Sequence, residues 1–229
     1  MAGNVVHQID DWVRVRQVLI SVSDKRGLDI LVPGLVSVNA ELKIFSTGGT
    51  YKRIAEILGA DSAAKHLMPV SEYTGQPETQ GGLVKTLDFK IYLGLLTEKY
   101  NQDHQADLER TDAVPIDMVV CNLYPFEETV SRAGVTVEQA RANIDIGGPC
   151  MVRASAKNYL RVASVTDPAD YQNLIKKLKS SGGRLDLKTR FGLAKKAFAH
   201  TASYDTNISR FLAERADAEV EGCYDKQEV

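Results

Sequence analysis

The chain has 229 residues, 44% of them hydrophobic and 25% charged, with a formal net charge of −2. That length supports one large domain, or one domain with an appendage, with a real core, and the near-neutral balance, without basic clusters or aromatic–basic interleaving, argues against nucleic-acid binding. Three cysteines (Cys121, Cys150, Cys223) without CxxC spacing, four histidines without ligand spacing and no apolar run of membrane length argue against a disulfide scaffold, a metal site and a membrane span.

The N-terminus MAGNVVHQIDDW lacks a signal-peptide core, so a cytoplasmic location is expected. Gln17–Val22 (QVLISV) reads as a short buried strand, and Ser23-Asp24 can cap a helix starting near Lys25. Pro33-Gly34 falls inside that helical pattern and predicts a kink or an early stop. Lys43–Ser46 is a second strand, followed by Thr47-Gly48-Gly49-Thr50 and the helical stretch YKRIAEIL. A strand, a glycine-rich turn and a helix start form a layout in which backbone N–H groups and hydroxyls meet an anion. By itself this turn is equally a plain βα connection.

Residues 70–90 are polar and glycine-rich, too long for an idle connection, and so form a candidate active-site loop before a helix over 91–100. Ile116–Cys121 is a third strand, with Asn122-Leu123-Tyr124-Pro125-Phe126 leaving its C-terminal end. Thr136 and Gln139 form a capping box.

In Asn143–Asn158 (NIDIGGPCMVRASAKN), Asp145 precedes a Gly147-Gly148 pair and Pro149 suits the first turn of a helix. Cys150, Arg153 and Lys157 share one face of that helix. Lys157 lies about two turns on, with its side chain leaning back toward the helix start. An acid and a lysine aimed at a glycine-lined spot suit proton transfer on a small molecule; a tight turn with solvated charges is the plainer reading.

Val162–Thr166 is a fourth strand, Asp167-Pro168 starts a helix through Lys179, and 180–184 is a turn. Apolar residues from Leu187 to about Arg215 keep helical spacing, and the acidic stretch from Glu214 reads as a frayed tail. Strands alternating with helices predict a parallel sheet covered on both faces, with ligands bound beyond the carboxyl ends of the strands.

SVSDKRGL (21–28), STGGT (46–50), GGLVKTL (81–87), NLYPFEETV (122–130) and NIDIGGP…RASAKN (143–158) together resemble the inosine monophosphate (IMP) cyclohydrolase domain of bifunctional purine-biosynthesis enzymes. AFAHTASYDTNISRFL (197–212) resembles the helix that ends that domain. The resemblance implies an α/β fold of three α/β/α layers, with a mainly parallel central sheet like that of methylglyoxal synthase and additional C-terminal helices. On it, residues 1–15 are an N-terminal extension, 16–213 the cyclohydrolase-like domain and 214–229 an acidic tail.

The implied reaction closes 5-formamidoimidazole-4-carboxamide ribotide (FAICAR) to IMP with loss of water, without metal or cofactor. A homodimer is implied, and a separate formyltransferase is the expected partner, because no formyltransferase domain is expected within these residues. By matched motif, Ser21, Ser23, Lys25, Thr47, Gly48 and Thr50 resemble the phosphate cradle, and Lys85 the cation beside the formyl oxygen, with Thr86 lining the pocket. Tyr124, Asp145 and Lys157 resemble the remaining catalytic groups, while Cys121, Asn122, Ile146 and Gly147 are expected base contacts. Cys121 lacks an activating neighbour in the sequence and is expected to pack rather than react.

One loop departs from the pattern. The family reads GGRVKTLHPK(I/V)HGG, and this chain reads GGLVKTLDFKIYLG, so Leu83, Asp88-Phe89 and Tyr92 replace Arg, His-Pro and His. Losing one charge-assisted contact costs on the order of 1.5–3 kcal/mol, and Asp88 is expected to bring negative charge toward an anion site, with Lys90 or Arg153 as compensating cations. These changes favour an alternative, a non-catalytic module of the same fold that binds a phosphorylated metabolite or nucleotide. Methylglyoxal synthase itself is disfavoured, because NLYPF and IDIGGP have no place there.

Overall fold

The computed structural model describes residues 5–77 and 85–227. Its centre is a sheet of β2 (Gln17–Val22), β3 (Lys43–Ser46), β4 (Leu67–Pro69), β5 (Met118–Asn122) and β6 (Ala163–Val165). The spatial order is β4-β3-β2-β5-β6, and every neighbouring pair is parallel. Alternation along each strand divides the core. Val18, Ile20, Ile44, Met118 and Val120 face one layer, and Leu19, Phe45, Val119 and Cys121 face the other.

The first layer holds α1 (Leu28–Val38), α2 (Gly48–His66) and α9 (Tyr171–Ser180); the second holds α4 (Phe89–Leu96), α8 (Gly147–Lys157) and much of α10 (Leu187–Ala213). The expected three-layer arrangement is therefore present. A small antiparallel pair, β1 (Val13–Arg14) with β7 (Arg184–Leu185), ties the N-terminal stretch to the body. The buried Arg190 of α10 strengthens this tie by donating to the carbonyls of Asp10, Asp11, Tyr159, Leu160 and Leu185.

Several expected details differ. Helix α1 begins at Leu28, after Gly27 in the left-handed region (φ 73°), rather than near Lys25. Asp24 instead accepts the Arg26 backbone N–H (3.0 Å) and grips its guanidinium, so residues 23–27 form a separate turn. The helix also runs through Pro33 without stopping. An interior proline costs about 3 kcal/mol, but the fully buried Leu28, Leu31, Val32 and Leu35 each return about 1.5–3 kcal/mol. Burial decides.

The stretch from Val70 is partly helical, with α3 (Val70–Thr74) before the loop and α4 beginning at Phe89 rather than Ile91. Helix α5 (Gln102–Arg110) had no periodic signal, since Leu108 is its one buried residue. The capping box of Thr136 and Gln139 forms as expected at α7 (Val137–Ala142). The tail is not simply frayed: α11 (Asp217–Glu221) forms, and the Tyr224 hydroxyl donates to Glu138 of α7 (2.5 Å). Among the described residues, no helix is long and apolar enough to cross a membrane.

Candidate functional site

Chain order along the sheet reverses at β2, with β3 on one side and β5 on the other. In parallel sheets this switch point leaves a crevice beyond the strand ends, and here it is a cleft of about 580 Å³. Its lining includes Ser21, Ser23, Lys25, Thr47, Gly48, Thr50, Lys85, Thr86, Cys121, Asn122, Tyr124, Asp145, Ile146 and Gly147. Fourteen of the fifteen expected site residues therefore share one cleft.

At one end, β3 runs into the start of α2. Thr47 is extended (φ −129°, ψ 151°) and Gly48 takes φ 50°, a left-handed turn that suits glycine and exposes the first N–H groups of the helix. Thr50 locks this turn to β2, since its hydroxyl donates to the Val22 carbonyl (3.0 Å) and accepts the Val22 N–H (3.2 Å). Ser46 donates to the Ile20 carbonyl (2.7 Å), and the Ser21 and Thr47 hydroxyls lie 3.5 Å apart. Two ammonium groups flank the turn: Lys25 Nζ lies 3.9 Å from where a Cβ on Gly49 would stand, and Lys85 Nζ 3.8 Å from the same point on Gly48. Hydroxyls, free N–H groups and two cations converge on one spot. That suits a phosphate.

At the other end, Asp145 precedes α8. Its carboxylate accepts the Gly148 N–H (2.9 Å), and its own N–H donates to the Tyr204 hydroxyl oxygen (2.7 Å). A side chain on Gly148 would collide with the Asp145 carboxylate and with Leu123, so the close approach requires glycine. Burial pushes the Asp145 carboxyl above the ordinary carboxylate range, opposed by backbone N–H bonds from Gly148 and Tyr124. Tyr124 is exposed at the cleft mouth. Thr86 is buried, with its hydroxyl against Gly147, so Lys85-Thr86 spans from the phosphate-type turn to the start of α8.

Lys157 is the residue the fold leaves out. It is the exposed last residue of α8, and ten residues of helix separate it from Gly147 by about 15 Å. It does not line the cleft, because that span exceeds the reach of a lysine leaning back along the helix. Asn122 lines the cleft, but its amide is engaged: Oδ1 accepts the Asp24 N–H (2.8 Å) and Nδ2 donates to the Asp24 carbonyl (2.9 Å). It braces the Ser23–Lys25 turn. Cys121 is buried, and burial pushes its thiol well up, which fits packing rather than nucleophilic chemistry.

The departures in the loop also resolve. Asp88 is buried outside the cleft, where it accepts from the Gln76 amide (2.6 Å) and caps α4 through the Lys90 N–H (2.7 Å). Its charge closes the base of the loop instead of facing the anion site, so no compensating cation is required. Lys90 lies over the Tyr73 ring (5.7 Å) and Arg153 over the Phe198 ring (5.7 Å), and neither lines the cleft. Tyr92 is turned into the second core layer, and burial pushes its hydroxyl up. Leu83 lies outside the described residues.

Sequence reasoning missed Tyr204, which it read as one apolar position of a long helix. The available signal was a tyrosine on a buried helix face, because a buried hydroxyl usually has a partner.

Residues 31–150 match the model of the MGS-like domain family, and residues 155–228 match that of the AICARFT/IMPCHase bienzyme family. Over 205 residues the chain is 47% identical to a bifunctional purine biosynthesis protein PurH of Synechococcus sp. (strain CC9605), covering 90% of this chain and 38% of that protein. It is 43% identical over 208 residues to the protein of the same name from Neisseria gonorrhoeae (strain NCCP11945), covering 91% and 38%. The chain thus spans a little over a third of these relatives' length. A crystal structure of ForH superposes with a TM-score of 0.69 at 29% identity, covering 85% of this chain and 97% of that one.

Proposed function

Because the chain belongs to the MGS-like domain family and continues into a segment of the AICARFT/IMPCHase bienzyme family, we propose that it is an IMP cyclohydrolase. It closes FAICAR to IMP with loss of water, as the last step of purine biosynthesis. The observation that carries this reading is one cleft with an anion cradle at one end and a half-buried carboxyl at the other.

The ribotide phosphate sits on the Thr47–Thr50 turn, met by helix N–H groups, the Ser21 and Thr47 hydroxyls and Lys25, while the Thr50 hydroxyl, already engaged by Val22, braces the turn. That anchoring points the imidazole toward Asp145 and Tyr124. The carboxamide nitrogen attacks the formyl carbon, forming the N–C bond and placing charge on the former formyl oxygen. Lys85 and the Tyr124 hydroxyl supply positive charge and a donor to that oxygen. Asp145, with its affinity for protons raised, carries the proton of the attacking nitrogen to that oxygen, making a hydroxyl; the C–O bond then breaks as the N–H proton of the former formamido nitrogen passes to the departing oxygen, giving water and the ring C=N bond. Holding two groups of one molecule in attack geometry supplies much of the acceleration. Lys157 has no place in this single-chain scheme.

A homodimer is the assembly we infer. Exposed Phe191 and Phe198 stand two turns apart on α10, with Lys195 over the Phe191 ring and Arg153 of α8 over the Phe198 ring, a mixed apolar and basic face suited to a second copy. Sedimentation of the purified chain tests it. The reading also places the protein in the cytoplasm, supplied by a formyltransferase that makes FAICAR.

The direct test mixes purified protein with FAICAR and follows IMP in the ultraviolet. Saturable turnover is expected. Tight IMP binding without turnover would instead make the chain a nucleotide-binding module.

A further inference from the structure

Tyr204 lies in α10, 59 residues beyond the acid it touches. Its side chain is only 8% exposed, and its hydroxyl oxygen accepts the Asp145 N–H at 2.7 Å. The ring meets Phe126 edge-on (centroids 6.2 Å apart, planes at 68°), and Phe126 in turn meets Phe211 (5.9 Å, 87°). Phe126 stands two residues after Tyr124. One side chain therefore holds both segments that form the acid end of the cleft, by hydroxyl to the Asp145 turn and by ring to the Tyr124 segment. The two partners also come from different matched segments, Asp145 from 31–150 and Tyr204 from 155–228.

We propose that Tyr204 is a positioning residue, whose hydroxyl sets the Asp145 turn and so fixes the carboxyl against the start of α8. The inference rests on the cyclohydrolase reading for its effect on turnover, though not for its effect on Asp145 itself. Without the hydroxyl, the Asp145 N–H loses its partner in a half-buried place. The flanking Asn143 and Ile146 are exposed, so the turn relaxes outward rather than unfolding the core. Among the described residues, the titratable groups facing Asp145 are Cys121 from β5 and Tyr204 from α10. An outward shift exposes the carboxyl to water and lowers its proton affinity.

The test is Tyr204→Phe. Turnover is expected to fall about tenfold, the effect of losing one hydrogen bond of about 1.4 kcal/mol, while the Kd for IMP stays within about twofold. The limb of the pH–rate profile that Asp145→Asn abolishes is expected to move to lower pH. In the Asp145→Asn background, Tyr204→Phe is expected to add nothing; losses that multiply would show that Tyr204 acts independently of Asp145 and overturn the proposal.

Carboxyl titration of Asp145 by NMR, without substrate, separates this proposal from the reaction assignment. A lowered midpoint in Tyr204→Phe supports the positioning role even if FAICAR is not turned over. An unchanged midpoint overturns it even if FAICAR is. Should Tyr204→Phe fail to fold, 3-fluorotyrosine at position 204 keeps the ring and weakens the acceptor oxygen. The Asp145 midpoint should then move in the same direction, and no movement overturns the proposal.

Discussion

At the phosphate end of the cleft, each structural bond joins residues of neighbouring strands and the turn that follows: Thr50 with Val22, Ser46 with Ile20, Ser21 with Thr47. At the acid end, the Asp145 turn is fixed by a tyrosine on a helix that begins 42 residues after Asp145, at Leu187. The first end is a local device of a βα unit, available wherever a strand delivers a glycine turn to a helix start. The second depends on the third dimension. The difference predicts separable functions, with binding concentrated at one end and proton movement at the other.

The largest effect should come from Asp145→Asn, which removes the proton acceptor without changing shape. Turnover is expected to drop at least about a hundredfold, with IMP affinity held within a few-fold. In the unmutated protein, the pH–rate profile should show an inflection above the ordinary aspartate value of about 3.9, because burial raises this carboxyl. Equal losses of turnover and affinity would dissolve the distinction between the ends.

Lys25→Ala addresses the other end. It should weaken IMP about tenfold, consistent with one charge-assisted contact, and leave inosine, which has no phosphate, nearly unaffected. Titration calorimetry with both ligands decides it, and equal weakening would remove Lys25 from the cradle.

Asp88→Ala probes the contact between Gln76 and the start of α4, outside the cleft. Losing the cap of α4 and the bond to Gln76 is expected to lower stability by about 1–2 kcal/mol in urea unfolding. Asp88→Asn, which still caps, should recover most of it. If Asp88→Ala tightened IMP binding markedly, the carboxylate would be facing the anion site after all. The smallest effect is expected for Arg153→Ala, within about twofold on IMP affinity, because its guanidinium lies over Phe198 away from the cleft.

The same contrast explains what the sequence made legible. Strands β2, β3 and β5, the Thr47–Thr50 turn and the capping box before α7 follow from nearest neighbours along the chain, and each was readable from a few residues. The passage of α1 through Pro33 was not, because it depends on what the flanking leucines pack against. Asp88 misled for a related reason: its charge could be read, but not the Gln76 amide that receives it. Lys157 shows the limit of helical-face reasoning. Sharing a face with Cys150 is a statement about angle, and the 1.5 Å rise per residue decides reach. Tyr204 stayed hidden among helix-core positions, because its hydrogen-bond partner lies in another element altogether.

The central claim is that one cleft binds with one end and moves protons with the other, and steady-state kinetics with FAICAR on Asp145→Asn and Lys25→Ala tests it most directly. The account predicts that Asp145→Asn lowers kcat with KM nearly unchanged, and that Lys25→Ala raises KM with kcat nearly unchanged. Both variants moving the same parameter in the same proportion would contradict it.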